Sequence, residues 1–88
     1  MTDITFQEDA WDDYEWWQSQ DRRTLRRINA LLKAMRRDPR AGQGKPEQLH
    51  GDLTGLWSRR IDERNRLVYR ITEQAVVVVQ CRSHYGDR

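Results

Sequence analysis

The sequence predicts an α+β domain in which a helical hairpin packs on antiparallel strands. Three observations carry that prediction. Apolar residues recur at helical spacing in two consecutive segments before residue 38, alternate with a two-residue period after residue 55, and between them lies a stretch holding four of the five glycines. At 88 residues there is room for one core, so residues 1–88 are read as a single domain.

At the start, Ile4 and Phe6 alternate with Thr5 and Gln7, a short strand signal. The period then changes. Ala10, Trp11, Tyr14 and Trp17 fall on one side of a helix, with Asp12, Asp13 and Glu15 expected to face away and Trp16 off the stripe. Ser19 and Asp21 interrupt this helix and offer caps to a second, whose apolar face is Leu25, Ile28, Leu31, Leu32 and Met35. Asp38-Pro39 ends it, because a residue before proline disfavours the helical region. RAGQGKPEQLHGDLTG, residues 40–55, reads as a long irregular connection, a kind of segment that tends to be functional. Three strand signals follow: LWSRRI, RLVYRI after the turn DERN, and AVVVVQCRSH after TEQ.

Charge is unevenly spread. The first 21 residues carry seven acidic and no basic side chains, and the remaining 67 carry sixteen basic and seven acidic, fourteen of the cations being Arg. A basic body rich in planar guanidinium groups suits phosphate. The single cysteine, Cys81, excludes an internal disulfide and points to a reducing, cytoplasmic setting. No signal-peptide core opens the chain and no segment has the length of a membrane span, so a soluble protein with no membrane partner is expected. Two His and one Cys, widely separated, give no metal-ligand spacing.

Alternation puts Leu67, Tyr69 and Ile71 on the core face and Arg66, Val68 and Arg70 on the other. In the last strand the expected core set is Val77, Val79, Cys81 and Ser83, with Val78, Gln80, Arg82 and His84 opposite. An even hairpin register gathers Arg66, Arg82 and His84 on one open face, and Arg60 joins them if it opposes Trp57 and Ile61. A carboxylate, guanidinium groups, an imidazole and a phenol are the parts needed to cleave a phosphodiester without metal or cofactor. His84 suits either proton role, and Glu47 or His50 in the loop is a candidate base.

WDDYEWWQSQD, INALLKAMRRDP, GQGKPEQLHGDLTGLWSRRIDERNRLVY and CRSHY together resemble the YoeB toxins of the RelE/ParE superfamily, over nearly the whole chain. The resemblance implies a microbial-ribonuclease-like α+β fold, a helical hairpin on a curved antiparallel sheet. It also implies a ribosome-dependent mRNA endonuclease, the toxin of a type II toxin-antitoxin pair. By resemblance Glu47 is the general base, Arg66 the phosphate-stabilising residue, His84 the general acid, Tyr85 a substrate-placing residue and Arg60 an assistant at the phosphate. Lys45, His50 and Arg82 complete the candidate substrate-binding set. Where the family usually carries a Lys after the loop Leu, this chain has His50, and Gly86, Asp87 and Arg88 follow the Tyr that commonly ends it. The implied partners are an acidic, partly disordered antitoxin of the YefM type, through which alone operator DNA would be met, the ribosome with its mRNA, and a second copy of the chain. Trp16 and the acidic helix are candidate surfaces for self-association or ribosome contact.

Overall fold

The computed structural model describes residues 2–83. In chain order it has β1 (Asp3–Phe6), α1 (Glu8–Gln18), α2 (Arg22–Arg37), β2 (Glu47–Gln48), a 3-10 turn (Gly51–Leu53), β3 (Leu56–Arg60), β4 (Arg66–Ile71) and β5 (Ala75–Gln80). The five strands form one sheet in the order β1-β5-β4-β3-β2. β2 to β5 pair antiparallel, as expected, whereas β1 runs parallel to β5, so the sheet is mixed. The reason is topological. After β1 the chain passes through both helices to the far edge and meanders back, which brings its last strand alongside the first in the same direction.

Asp21 starts α2 by accepting bonds from the backbone N–H groups of Arg23 and Thr24 and from the Thr24 hydroxyl at 2.8 Å. Ser19 instead closes α1, its hydroxyl donating to the Trp16 carbonyl. Along α2, Ile28, Leu31 and Met35 are fully buried at helical spacing against Leu67, Tyr69, Val76 and Val78 of the sheet.

On α1 Ala10 and Trp17 are buried and Tyr14 packs against the core as expected, but Asp13, expected to face away, is buried in place of Trp11. Trp11 is 46% exposed, its ring edge-on to Phe6, while Asp13 is only 1% exposed. A buried carboxylate at this position is tolerated because it accepts the Cys81 backbone N–H at 3.1 Å. Trp17 adds a bond from its indole N–H to the Cys81 carbonyl at 2.8 Å, so one face of α1 holds the chain just past β5.

The core side of β5 also differs from expectation. Val76 and Val78 are fully buried, and Val77 and Val79 are only partly so. A bulge explains it. Tyr69 pairs with Val78 but Val68 pairs with Gln80, so Val79 is an extra residue and the alternation changes parity there. Cys81 therefore returns to the core, as expected, although the valines before it lie on the opposite phase. The strand ends at Gln80 rather than running on to His84.

Candidate functional site: the open face of the sheet

Helices cover one side of the sheet, and Glu47, Arg60 and Arg66 project from the other. Register fixes which side chains share it. Glu47 pairs with Ser58, Ser58 with Val68 and Val68 with Gln80, a single row across four strands. In the next row Arg60 pairs directly with Arg66. Glu47, Arg60 and Arg66 thus project from the same face within one row of each other. Two like charges placed directly opposite are unfavourable unless an anion lies between them.

Each of these groups is presented by a specific local device. Glu47 follows a tight passage in which the Gly44 carbonyl accepts the Arg60 N–H at 2.8 Å and Gly44 has φ +90°. A Cβ at Gly44 would come within 2.7 Å of Leu31 Cδ2 and 3.2 Å of Arg59 Cβ, so only glycine passes there without displacing the core. Lys45 comes next with φ 51°, and its backbone turns the chain into β2.

Arg59, one residue before Arg60, points the other way and is completely buried. Its guanidinium donates to the carbonyls of Asp38 (2.7 Å), Ala41 (2.9 Å) and Gln43 (2.8 Å) and to the Tyr69 hydroxyl (3.0 Å). Tyr69 in turn donates to the Pro39 carbonyl at 2.7 Å. This side chain ties the connection from α2 to β2 onto the sheet, and with it the approach to Lys45 and Glu47. Burial pushes the Tyr69 phenol above its ordinary value, against the opposing pull of Arg59.

The turn between β3 and β4 is equally fixed. Asp62 accepts from the N–H groups of Arg64 and Asn65 and from the Asn65 amide. Burial opposes its charge, but these bonds and the Arg64 guanidinium prevail and hold the carboxyl below the usual range. Arg27 of α2 donates to the Arg60 carbonyl at 3.1 Å. The Asn65 Oδ1 accepts the Ser83 N–H at 2.6 Å, and the Ser83 carbonyl accepts the Arg66 N–H at 2.9 Å. Gln80 binds the carbonyls of Arg82 and Ser83 through its amide. The chain leaving β5 is therefore laced to the start of β4, next to Arg66.

The remaining candidates are distributed as follows. Arg82 shares the phase of Gln80 in sequence, yet its guanidinium lies 3.7 Å from the Trp16 ring centroid, a cation–π contact with α1. It does not stand free beside Arg66. His50 is exposed at the head of the 3-10 turn and makes no side-chain cap bond there. His84 and Tyr85 lie outside the described residues. Among the described residues no three His, Cys, Asp or Glu side chains group to hold a metal ion.

Two buried polar atoms have no hydrogen-bond partner among the described residues: Arg66 Nε and Ser58 Oγ. Both belong to this open face. A buried group left unbonded costs about 1–3 kcal/mol, and an unfilled Nε–H on an arginine already facing another arginine suits an oxyanion. Sequence reasoning missed Ser58, Arg59, Asn65 and Asp13. The signal for Ser58 was its fixed parity with Arg60, and for Asp13 its helical spacing from Ala10 and Trp17. Arg59 and Asn65 had no signal short of the tertiary contacts.

A helical hairpin packed on one side of a small mixed sheet is the plan shared with several bacterial toxins of known structure. One, a YoeB/ParE toxin from Agrobacterium tumefaciens, superposes with TM-score 0.89 at 46% identity, covering 96% of this chain and 100% of that one. YoeB from Staphylococcus aureus, solved as a dimer and in complex with YefM, superposes with TM-score 0.86 at 40% and 38% identity, over 96% and 97% of this chain and 98% and 99% of those. Toxin YoeB of Streptomyces coelicolor is 52% identical over 82 residues, 93% of this chain and 98% of the relative. Residues 6–85 match the YoeB-like toxins of bacterial type II toxin-antitoxin systems, and the chain belongs to that family.

Proposed function

We propose that this toxin is a ribosome-dependent mRNA endonuclease that arrests translation by metal-independent acid/base cleavage. The observation that carries the reading is the juxtaposition of Glu47 with Arg60 and Arg66 on one face, with Arg66 Nε buried and unbonded. In the reaction Glu47 takes the proton of a ribose 2′-hydroxyl, whose oxygen then attacks the adjacent phosphorus. Arg66 and Arg60 hold the non-bridging oxygens and stabilise the charge that builds on them. His84 gives a proton to the departing 5′-oxygen, leaving a 2′,3′-cyclic phosphate or its hydrolysed form. Tyr85 places the substrate, and Lys45 and His50 meet neighbouring phosphates.

No cofactor enters this scheme. The toxin acts in the cytoplasm, where its ribosomal target is, and no helix among the described residues is long and apolar enough to cross a membrane. Its partner is a YefM-type antitoxin, as in the Staphylococcus aureus complex, and the dimer of that relative supports self-association as well. An acidic antitoxin segment folding onto the open face would neutralise the arginine pair. Primer extension on a defined mRNA in programmed ribosomes tests the reading. Cuts are expected with ribosomes and none on the same mRNA without them. Intact mRNA under toxic expression, as a poison acting by binding alone would leave it, contradicts it.

A further inference from the structure

Ser58 stands in the middle of the open face and has no part in the scheme above. It is completely buried, and its Oγ reaches neither solvent nor a partner. On one side its paired residue is Glu47, on the other Val68, and Arg60 and Arg66 occupy the adjoining row. Directly opposed residues of an antiparallel pair have Cβ atoms about 4.5–5.5 Å apart. A Glu side chain is long enough to bring its carboxylate to a Ser hydroxyl over that span, and Glu47 itself is exposed, so the movement that substrate binding has to supply is the uncovering of the buried Ser58 Oγ.

There is a chemical need for such a contact. A carboxylate one row from two guanidinium groups is drawn into an ion pair with them, which would take it away from the attacking hydroxyl and occupy the arginines needed by phosphate. A neutral donor avoids both outcomes, since it fixes the carboxylate without cancelling its charge. The titratable and charged groups nearest Glu47 by register and sequence are Arg60 of β3, Arg66 of β4, and Lys45 and His50 of its own segment, and both Lys45 and His50 are exposed where Ser58 is buried.

We propose that Ser58 is a positioning residue for Glu47: with substrate bound, its Oγ–H donates to the Glu47 carboxylate and holds it toward the 2′-hydroxyl, leaving Arg60 and Arg66 to the phosphate. The inference rests on the reading of Glu47 as general base. Its test is single-turnover cleavage of mRNA on programmed ribosomes by the full chain and by Ser58→Ala, Ser58→Thr, Glu47→Gln and the Glu47→Gln/Ser58→Ala double variant. Ser58→Ala is expected to cleave about 10- to 100-fold more slowly, the range for losing a bond to a charged group. Its unfolding midpoint should equal or exceed that of the wild type, because an unbonded buried polar atom has been removed. Ser58→Thr, which keeps the hydroxyl, should recover most of the rate. In the Glu47→Gln background the Ser58→Ala change should add less than about twofold, since the two residues act as one unit. Should Ser58→Ala not fold, Ser58→Cys, similar in shape with a weaker donor, carries the same expectation. Wild-type speed in Ser58→Ala, with Glu47→Gln slow, overturns the inference and leaves the base reading standing. An undiminished Ser58→Ala effect in the Glu47→Gln background also overturns it, placing the hydroxyl on the substrate instead. Wild-type speed in Glu47→Gln removes the base reading and the inference with it.

Discussion

Replacing Arg59 with Met measures how far the placement of Glu47 depends on a single buried side chain. The guanidinium makes four bonds of 2.7–3.0 Å, three to carbonyls of the segment entering β2 and one to Tyr69. Bonds to a charged donor are each worth about 1.5–3 kcal/mol. Two effects offset most of the gross sum. Met relieves the burial of a full charge, and the freed carbonyls of residues 38, 41 and 43 belong to a largely exposed segment that water can reach. The net loss is then about 2–4 kcal/mol, which lowers the melting temperature of a domain this size by about 10–30 °C. Urea unfolding gives the stability loss, and hydrogen exchange at the Arg60 N–H, which the Gly44 carbonyl of that segment accepts at 2.8 Å, reports the tether, because this bond should open well below the unfolding transition. Cleavage should fall with it. Should Arg59→Met melt with the wild type and keep the exchange rate of the Arg60 N–H, the tethering role assigned to Arg59 is wrong.

Gly44→Ala should cost about 1–3 kcal/mol, since the new methyl meets Leu31 and the backbone is in the left-handed region; an unchanged urea midpoint would contradict the close passage. Tyr69 gives a pH dependence. The folded phenol titrates above the unfolded value of 10.0, so stability is full below that pH and falls as pH rises through the folded value; Tyr69→Phe should flatten this alkaline loss, and parallel profiles for the two proteins would refute it. Arg60→Gln should lower the magnitude of the salt slope for RNA binding by about one, as expected for a single phosphate contact, and a slope equal to the wild type would remove Arg60 from the phosphate.

Legibility in the sequence followed the length of the periodic signal. The apolar face of α2 runs over more than two turns, and Ile28, Leu31 and Met35 are buried as their spacing requires. α1 is shorter and richer in aromatics, so hydrophobicity alone favoured Trp11 over Asp13. The fold decided otherwise, because the position of Asp13 faces the backbone N–H of Cys81, which its carboxylate accepts at 3.1 Å. In β5 four consecutive valines carry no phase information, and the bulge at Val79 is set by pairing with β4 rather than by any residue type. The parallel pairing of β1 with β5 is likewise a property of the whole topology. Arg60 and Arg66 could be placed together from strand parity, whereas Arg59 reads as an equally exposed neighbour until the segment that packs over it is known. Arg82 was assigned by alternation, which ceased where the strand ended and Trp16 became available.

The central claim is that the Glu47 carboxylate of β2, the paired arginines and the His84 imidazole perform one reaction. Single-turnover cleavage of mRNA on programmed ribosomes by Glu47→Gln, Arg66→Gln and His84→Ala, with folding confirmed by urea unfolding, tests it most directly. Each variant should remain folded and lose about 10²–10⁴ in rate, and pairs of changes should lose far less than the product of the single effects. Folded variants that cut as fast as the wild type would contradict the claim.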